Sequence, residues 1–98
     1  MKLNILKKRT IKKSIWAILK CSLEINGKKI NFDVECENGE IEMWSASTEA
    51  DNKRYRNLVQ KGVETGDSNA PTDESTFEEL QMKLKPVLTK HKAMYKKL

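Results

Sequence analysis

Ninety-eight residues, 38% of them apolar and 34% charged, make one small domain whose core is just large enough to fold alone. The charged residues are balanced in sign closely enough to exclude wholesale disorder, and no apolar run approaches the ~18 residues that cross a bilayer. The stretch from Ser14 to Lys20 is likewise too short for a secretory leader and lacks a small-residue cleavage site. A cytoplasmic protein with no membrane association is expected.

The net charge of +5 is unevenly placed, with Lys2, Lys7, Lys8, Arg9, Lys12 and Lys13 crowding the start and Lys90, Lys92, Lys96 and Lys97 the end. Residues 1–13 form a basic N-terminal segment in which Leu3, Ile5, Leu6 and Ile11 lie among the cations. Strand, helix and free arm all remain open for it. Residues 14–98 are expected to be a single α+β domain.

Asn26-Gly27 and Asn38-Gly39, each between alternating apolar and polar residues, predict two-residue type I′ turns, because both central positions need positive φ. The turns define an antiparallel three-stranded meander over 14–25, 28–37 and 40–46. In the first hairpin Leu23 meets Ile30, Cys21 meets Phe32, Leu19 meets Val34 and Ala17 meets Cys36. In the second, Glu37 meets Glu40, Cys36 meets Ile41, Val34 meets Met43 and Phe32 meets Ser45. Nearly all the apolar residues then share one face, which a one-residue slip would scatter. Cys21 and Cys36 fall on that face about 14 Å apart along the strands, too far for a disulfide or a shared metal. No cofactor is expected.

The opposite face is expected to carry the rows Trp16/Glu37/Glu40, Ile18/Glu35/Glu42 and Lys20/Asp33/Trp44. Like charges directly opposite across strands are destabilising, so glutamates gathered beside tryptophans call for a reason. One reason is ordinary solvation, with indoles lying over the glutamate stems. The other is docking: Trp16, Ile18 and Trp44 would anchor a partner while Asp33, Glu35, Glu37, Glu40 and Glu42 select a basic one. Residues 1–13 would suit that face, from the same chain or from a dimer mate. Divalent-cation binding is a weaker alternative, since no ordered calcium loop is present.

Two helices, about 48–65 and 75–97, are expected to cover the apolar face. Thr48 and Asp51 stand at capping-box spacing, Tyr55, Leu58, Val59, Gly62 and Val63 form an apolar stripe, and Gly66 suits the stop. Lys53, Arg54, Arg56 and Lys61 on the other sides offer a nucleic-acid alternative, together with the lysine-rich ends. Residues 66–74 read as a mobile polar loop. Ser75 and Glu78 form a second capping box, and Phe77, Leu80, Leu84, Val87, Leu88, His91, Tyr95 and Leu98 trace the second stripe, with a kink or break near Lys85 at Pro86. His91 on that stripe reads as a packed or partner-facing histidine.

The run Leu58-Val59-Gln60-Lys61-Gly62-Val63-Glu64-Thr65-Gly66-Asp67, followed by Phe77 and a charged helix, resembles the C-terminal tail of ParD-type antitoxins over about a quarter of the chain. The meander departs from that family's single ribbon strand. The resemblance implies no more than a toxin-neutralising inhibitor as a further alternative. No phosphate-binding glycine loop, nucleophile elbow or Cys/His metal spacing is present. The leading expectation is therefore a non-catalytic protein-binding or regulatory module, its partner another protein or a second copy of itself.

Overall fold

Positive φ at Asn26 (50°), Gly27 (78°), Asn38 (55°) and Gly39 (84°) closes the two expected hairpins. The computed structural model describes residues 3–11 and 14–96. Four strands precede two helices: β1 (Leu3–Ile11), β2 (Ser14–Ile25), β3 (Lys28–Glu37), β4 (Glu40–Ala46), α1 (Glu49–Thr65) and α2 (Asp73–Lys96). The fold is α+β, an antiparallel meander with both helices on one face, and the sheet order is β1-β2-β3-β4.

β2 and β3 pair in the register that the turns dictate, from Ile25↔Lys28 to Trp16↔Glu37. Ala17, Leu19, Cys21 and Leu23 of β2 therefore share a face with Ile30, Phe32, Val34 and Cys36 of β3, and all eight are buried. Tyr55 of α1 and Leu80, Leu84 and Leu88 of α2 close over them. At roughly 1.5–3 kcal/mol per large apolar side chain, this layer supplies most of the driving force for folding.

Residues 3–11 add a fourth strand outside β2, paired from Leu3↔Cys21 to Ile11↔Ser14. The basic segment thus extends the sheet edge-on and is not layered over the outer face, contrary to one use suggested for it. The open edge of β2 explains this: its backbone N–H and C=O groups need partners, and an adjoining strand supplies them.

In the second hairpin the register holds for Glu37↔Glu40 and Cys36↔Ile41, then shifts, giving Glu35↔Met43, Val34↔Trp44, Asp33↔Ser45 and Phe32↔Ala46. Glu42 is the extra residue of a β-bulge. The expected Val34–Met43 and Phe32–Ser45 pairs are replaced, and every β4 side chain beyond the bulge changes face.

α1 starts as expected: the Asp51 N–H donates to Thr48 Oγ1 at 3.1 Å, and the Thr48 hydroxyl donates to Asp51 Oδ2 at 2.7 Å. It ends at Gly66, φ 68°, whose N–H donates to the Gly62 carbonyl. Leu58 and Val59 pack against the core as the stripe predicts, but Val63 is 74% exposed. The reason is that the connection to α2 turns under Gly62, where an added Cβ would lie 2.2 Å from Ala70 Cβ, and leaves Val63 on the uncovered flank. In the expected polar loop over 66–74, residues 66–69 are exposed, Pro71 is buried, and residues 73 and 74 already belong to α2; the Asn69 N–H donates to Asp67 Oδ1.

α2 begins two residues before the expected Ser75–Glu78 box. Thr72 and Ser75 make the reciprocal bonds instead, each backbone N–H donating to the other's hydroxyl at 2.9 and 3.0 Å, with Asp73 and Glu74 favouring the positive helix end. Of the kink or break expected near Lys85, no break occurs: the helix is continuous through Pro86. The carbonyl that Pro86 leaves unpaired belongs to Met82, which is 65% exposed, so water can satisfy it. Leu98, and the side chain of Tyr95, lie outside the described residues.

The β3–β4 turn docks on α2. Gly39 donates its N–H to His91 Nδ1 at 2.9 Å, and the ring is 6% exposed. An added Cβ at Gly39 would lie 2.5 Å from Lys92 Cβ and 2.7 Å from the Leu88 carbonyl oxygen, whereas one at Gly27 would meet nothing within 4 Å. Both glycines have positive φ. Gly39→Ala is expected to lower stability by roughly 3 kcal/mol and Gly27→Ala by only about 1 kcal/mol in denaturant unfolding. Equal losses would mean that the turn does not rest on α2.

Candidate functional site

β2 and β3 set Trp16 beside Glu37, Ile18 beside Glu35 and Lys20 beside Asp33 on the face turned away from the helices. These side chains are neither fully buried nor fully exposed. The Trp16 indole N–H donates to Glu35 Oε1 at 2.5 Å, which draws the ring toward β3 and gives that carboxylate a donor. Further along, the Ser47 hydroxyl donates to Asp33 Oδ1 at 2.6 Å and the Ser22 hydroxyl to Asn31 Oδ1 at 2.5 Å. A polar ladder thus borders an apolar patch.

The bulge revises what β4 contributes. Trp44 is not on this face. Its ring meets Phe32 edge-on at 5.8 Å and Tyr55 at 6.1 Å, within the helix-covered layer. Glu42 is exposed and has no opposite number on β3, so the expected Ile18/Glu35/Glu42 row becomes Ile18/Glu35/Met43. The change has a physical cause. The regular ladder would set Glu42 against Glu35 and leave an indole in water, whereas the bulge separates the carboxylates and buries much of Trp44.

Met43, which the alternation assigned to the core, is 63% exposed and joins the face instead. The surface therefore includes Trp16, Ile18 and Met43, with Asp33, Glu35, Glu37, Glu40 and Lys20 around them. The hint available in the sequence was the like-charge clash that strict alternation required at Glu35 and Glu42.

Cations and carboxylates elsewhere are paired differently. Arg54 Nη2 lies 2.6 Å from Asp51 Oδ1, and Arg56 lies 3.3 Å from Asp73 while covering the Tyr55 ring. Two of the four α1 residues proposed for nucleic acid are thus occupied, while Lys53 and Lys61 are exposed. Lys83 and Glu79 pair at 4.0 Å. On the outer face Lys20 stands beside Asp33, and the β1–β2 register places Lys7 in the Ile18/Glu35 row and Arg9 in the Trp16/Glu37 row.

The thiols are poorly suited to chemistry. Cys36 Sγ lies 3.8 Å from His91 Nδ1, but burial pushes its pKa up to about 11, and burial raises Cys21 as well. A thiolate nucleophile needs the opposite shift. An open groove of about 780 Å³ runs between the β2–β3 turn and the α1–α2 connection, but its lining holds Glu24 beside Lys29 and Glu79 paired with Lys83, so it favours neither charge. Among the described residues no three His, Cys, Asp or Glu side chains gather closely enough to hold a metal ion, and no helix is long and apolar enough to cross a membrane.

Compared with protein-family models, with curated proteins and with solved structures, the chain matches none of them.

Proposed function

We propose that this chain is a small non-catalytic protein-binding module whose working surface is the outer sheet face. The observation that carries the reading is Met43, a 63% exposed hydrophobe standing in one row with Ile18 and Glu35 on the sheet face turned away from the helices. A partner with lysines or arginines around a few apolar groups would bury Met43, Ile18 and part of Trp16 while matching Glu35, Glu37 and Glu40. Charge would set the encounter rate and selectivity, and apolar burial the affinity.

The sheet edges are less suitable as docking sites. β4 is short, acidic and bulged, and β1 carries Lys7, Lys8 and Arg9 with a register shift between Ile5 and Lys7. Such features blunt strand addition. A nucleic-acid role through Lys53, Arg54, Arg56 and Lys61 has weaker support, because Arg54 and Arg56 are engaged by Asp51 and Asp73. A cytoplasmic location accompanies this reading, in which Cys21 and Cys36 serve as small buried core residues.

A synthetic amphipathic lysine–leucine peptide, titrated against the full chain and followed by amide NMR shifts, tests the face. Saturable shifts along residues 16–18, 35–37 and 43 are expected, weakened by salt and at least tenfold weaker in Glu35→Gln/Glu37→Gln. Shifts confined to the helices, or none, would remove this surface.

A further inference from the structure

Asn26-Gly27 and Asn38-Gly39 are one dipeptide in one backbone conformation, set in different surroundings. Both asparagines are left-handed, with φ 50° and 55°, and both glycines follow at positive φ. Three hydrogen bonds tie the second pair to other elements. The Asn38 N–H donates to the Ile15 carbonyl, the Ile15 N–H donates to Asn38 Oδ1, and the Gly39 N–H donates to His91 Nδ1, each at 2.9 Å. Gly39 also lies so close to Leu88 and Lys92 of α2 that a Cβ there would not fit. The first pair stands at a hairpin tip. Residues 26–29 are exposed, and a Cβ on Gly27 would meet nothing within 4 Å. Among the described residues no hydrogen bond engages the Asn26 side chain.

We propose that Asn26 is a self-modification site, converted through a succinimide to isoaspartate and aspartate, whereas docking keeps Asn38 intact. The Gly27 nitrogen gives its proton to solvent hydroxide and bonds to Asn26 Cγ. The Cγ–Nδ2 bond breaks, and Nδ2 takes a proton from water and leaves as ammonia. Water then opens the succinimide ring at either carbonyl. Opening at Cγ gives aspartate; opening at the main-chain carbonyl gives isoaspartate, whose chain runs through Cγ. Glycine favours the attack, because with no Cβ its nitrogen is open to approach.

The turn itself gates the reaction. In the left-handed conformation the next nitrogen stands nearly anti to Cβ, out of reach of Cγ, so either turn must open before attack. The rate then follows the population of the opened turn, which falls with the number of contacts that opening breaks. Opening at 26–27 moves an exposed tip. Opening at 38–39 detaches Gly39 from His91 and Asn38 from Ile15. Isoaspartate adds a methylene to the main chain, which a two-residue type I′ turn does not accommodate, so the Ile25↔Lys28 pair is expected to open. Either product puts a carboxylate on the groove lined by Asn26, Lys29 and Lys83 and lowers the net charge of +5 by one.

Peptide mapping that separates asparagine, aspartate and isoaspartate tests the proposal on the full chain, held in mildly alkaline buffer with and without urea. Without urea Asn26 is expected to convert at least tenfold faster than Asn38, and in urea the two rates should nearly converge. Folded His91→Ala, checked by circular dichroism, should lose most of the protection at Asn38. The comparison with urea decides the matter even where that variant unfolds. Similar rates at the two sites without urea would overturn the proposal. So would an Asn26 that stays intact without urea, or an Asn38 that converts first, since His91 would then be drawing off the Gly39 proton. A folded His91→Ala whose Asn38 reacts as slowly as in the wild type would overturn the protective role of docking.

Discussion

Asp51→Ala is expected to lower stability by about 3 kcal/mol, more than removal of any other single charge in the described structure. The side chain is 2% exposed and sits where α1 joins β3. Its Oδ1 accepts from the Asn31 N–H at 3.2 Å and from Arg54 at 2.6 Å, while Oδ2 accepts from the Thr48 hydroxyl at 2.7 Å. Next to it, the Ser47 N–H donates to the Asn31 carbonyl at 2.8 Å. Truncation leaves the partly buried Asn31 N–H without its acceptor, which costs about 1–3 kcal/mol, and removes the cap contact of Thr48, whose exposed hydroxyl can turn to water. The Arg54 contact adds little, because Arg54 is itself about half exposed.

The same residue governs acid stability. Burial pushes the Asp51 carboxyl up, but hydrogen bonds from Thr48, the Asn31 N–H and Arg54 outweigh it and hold the pKa below the usual range. The folded protein thus releases this proton more readily than the unfolded chain does. The resulting stabilisation is complete above the ordinary aspartate value of ~3.9 and is lost as pH falls through the lower folded value. Asp51→Asn should show a shallower loss of stability below that point than the wild type does. Parallel acid limbs, measured by denaturant unfolding at a series of pH values, would contradict this.

Trp44→Ala is expected to cost about 3 kcal/mol and Trp16→Ala less than half of that. Phe32 and Tyr55, which Trp44 meets edge-on, are 0% and 1% exposed, so truncation at 44 opens a hole against two rings that cannot easily move. Phe32 and Tyr55 themselves meet at 5.5 Å, which closes the aromatic triangle. The Tyr55 hydroxyl lies within hydrogen-bond distance of Asp73 Oδ1 (2.8 Å) and Thr76 Oγ1 (2.9 Å) at the start of α2, so loss of the indole loosens a joint between sheet and both helices. Trp16 stands partly in water with Glu35 as its named partner, and water replaces much of what truncation removes. An inverted order of the two losses would restore the unbulged ladder.

The meander was legible because its determinants are local. Asn-Gly tolerates the positive φ of both turns, and alternation from Ala17 to Leu23 leaves the first hairpin one acceptable register. The bulge was not legible for the opposite reason. Alternation runs correctly as far as Ile41, and what moves Trp44 inward is contact with Tyr55 on a helix not yet formed in that reading. Trp44 and Met43 accordingly exchanged places, and the outer face kept Trp16, Ile18, Asp33, Glu35, Glu37 and Glu40 but not Trp44. β1 escaped reading because its pairing depends on the free edge of β2. At α2, Thr72 and Ser75 offer equivalent hydroxyls three residues apart, and a pattern alone does not choose between them.

The composition of the binding face depends on that single extra residue at Glu42. Nuclear Overhauser contacts measure it directly. The Trp44 indole protons should show cross-peaks to the Phe32 and Tyr55 rings, and the Met43 methyl should show one to Ile18 and none to any core residue. Cross-peaks from the Met43 methyl to Val34, with Trp44 contacting Asp33 and Lys20, would mean an unbroken ladder and a different surface.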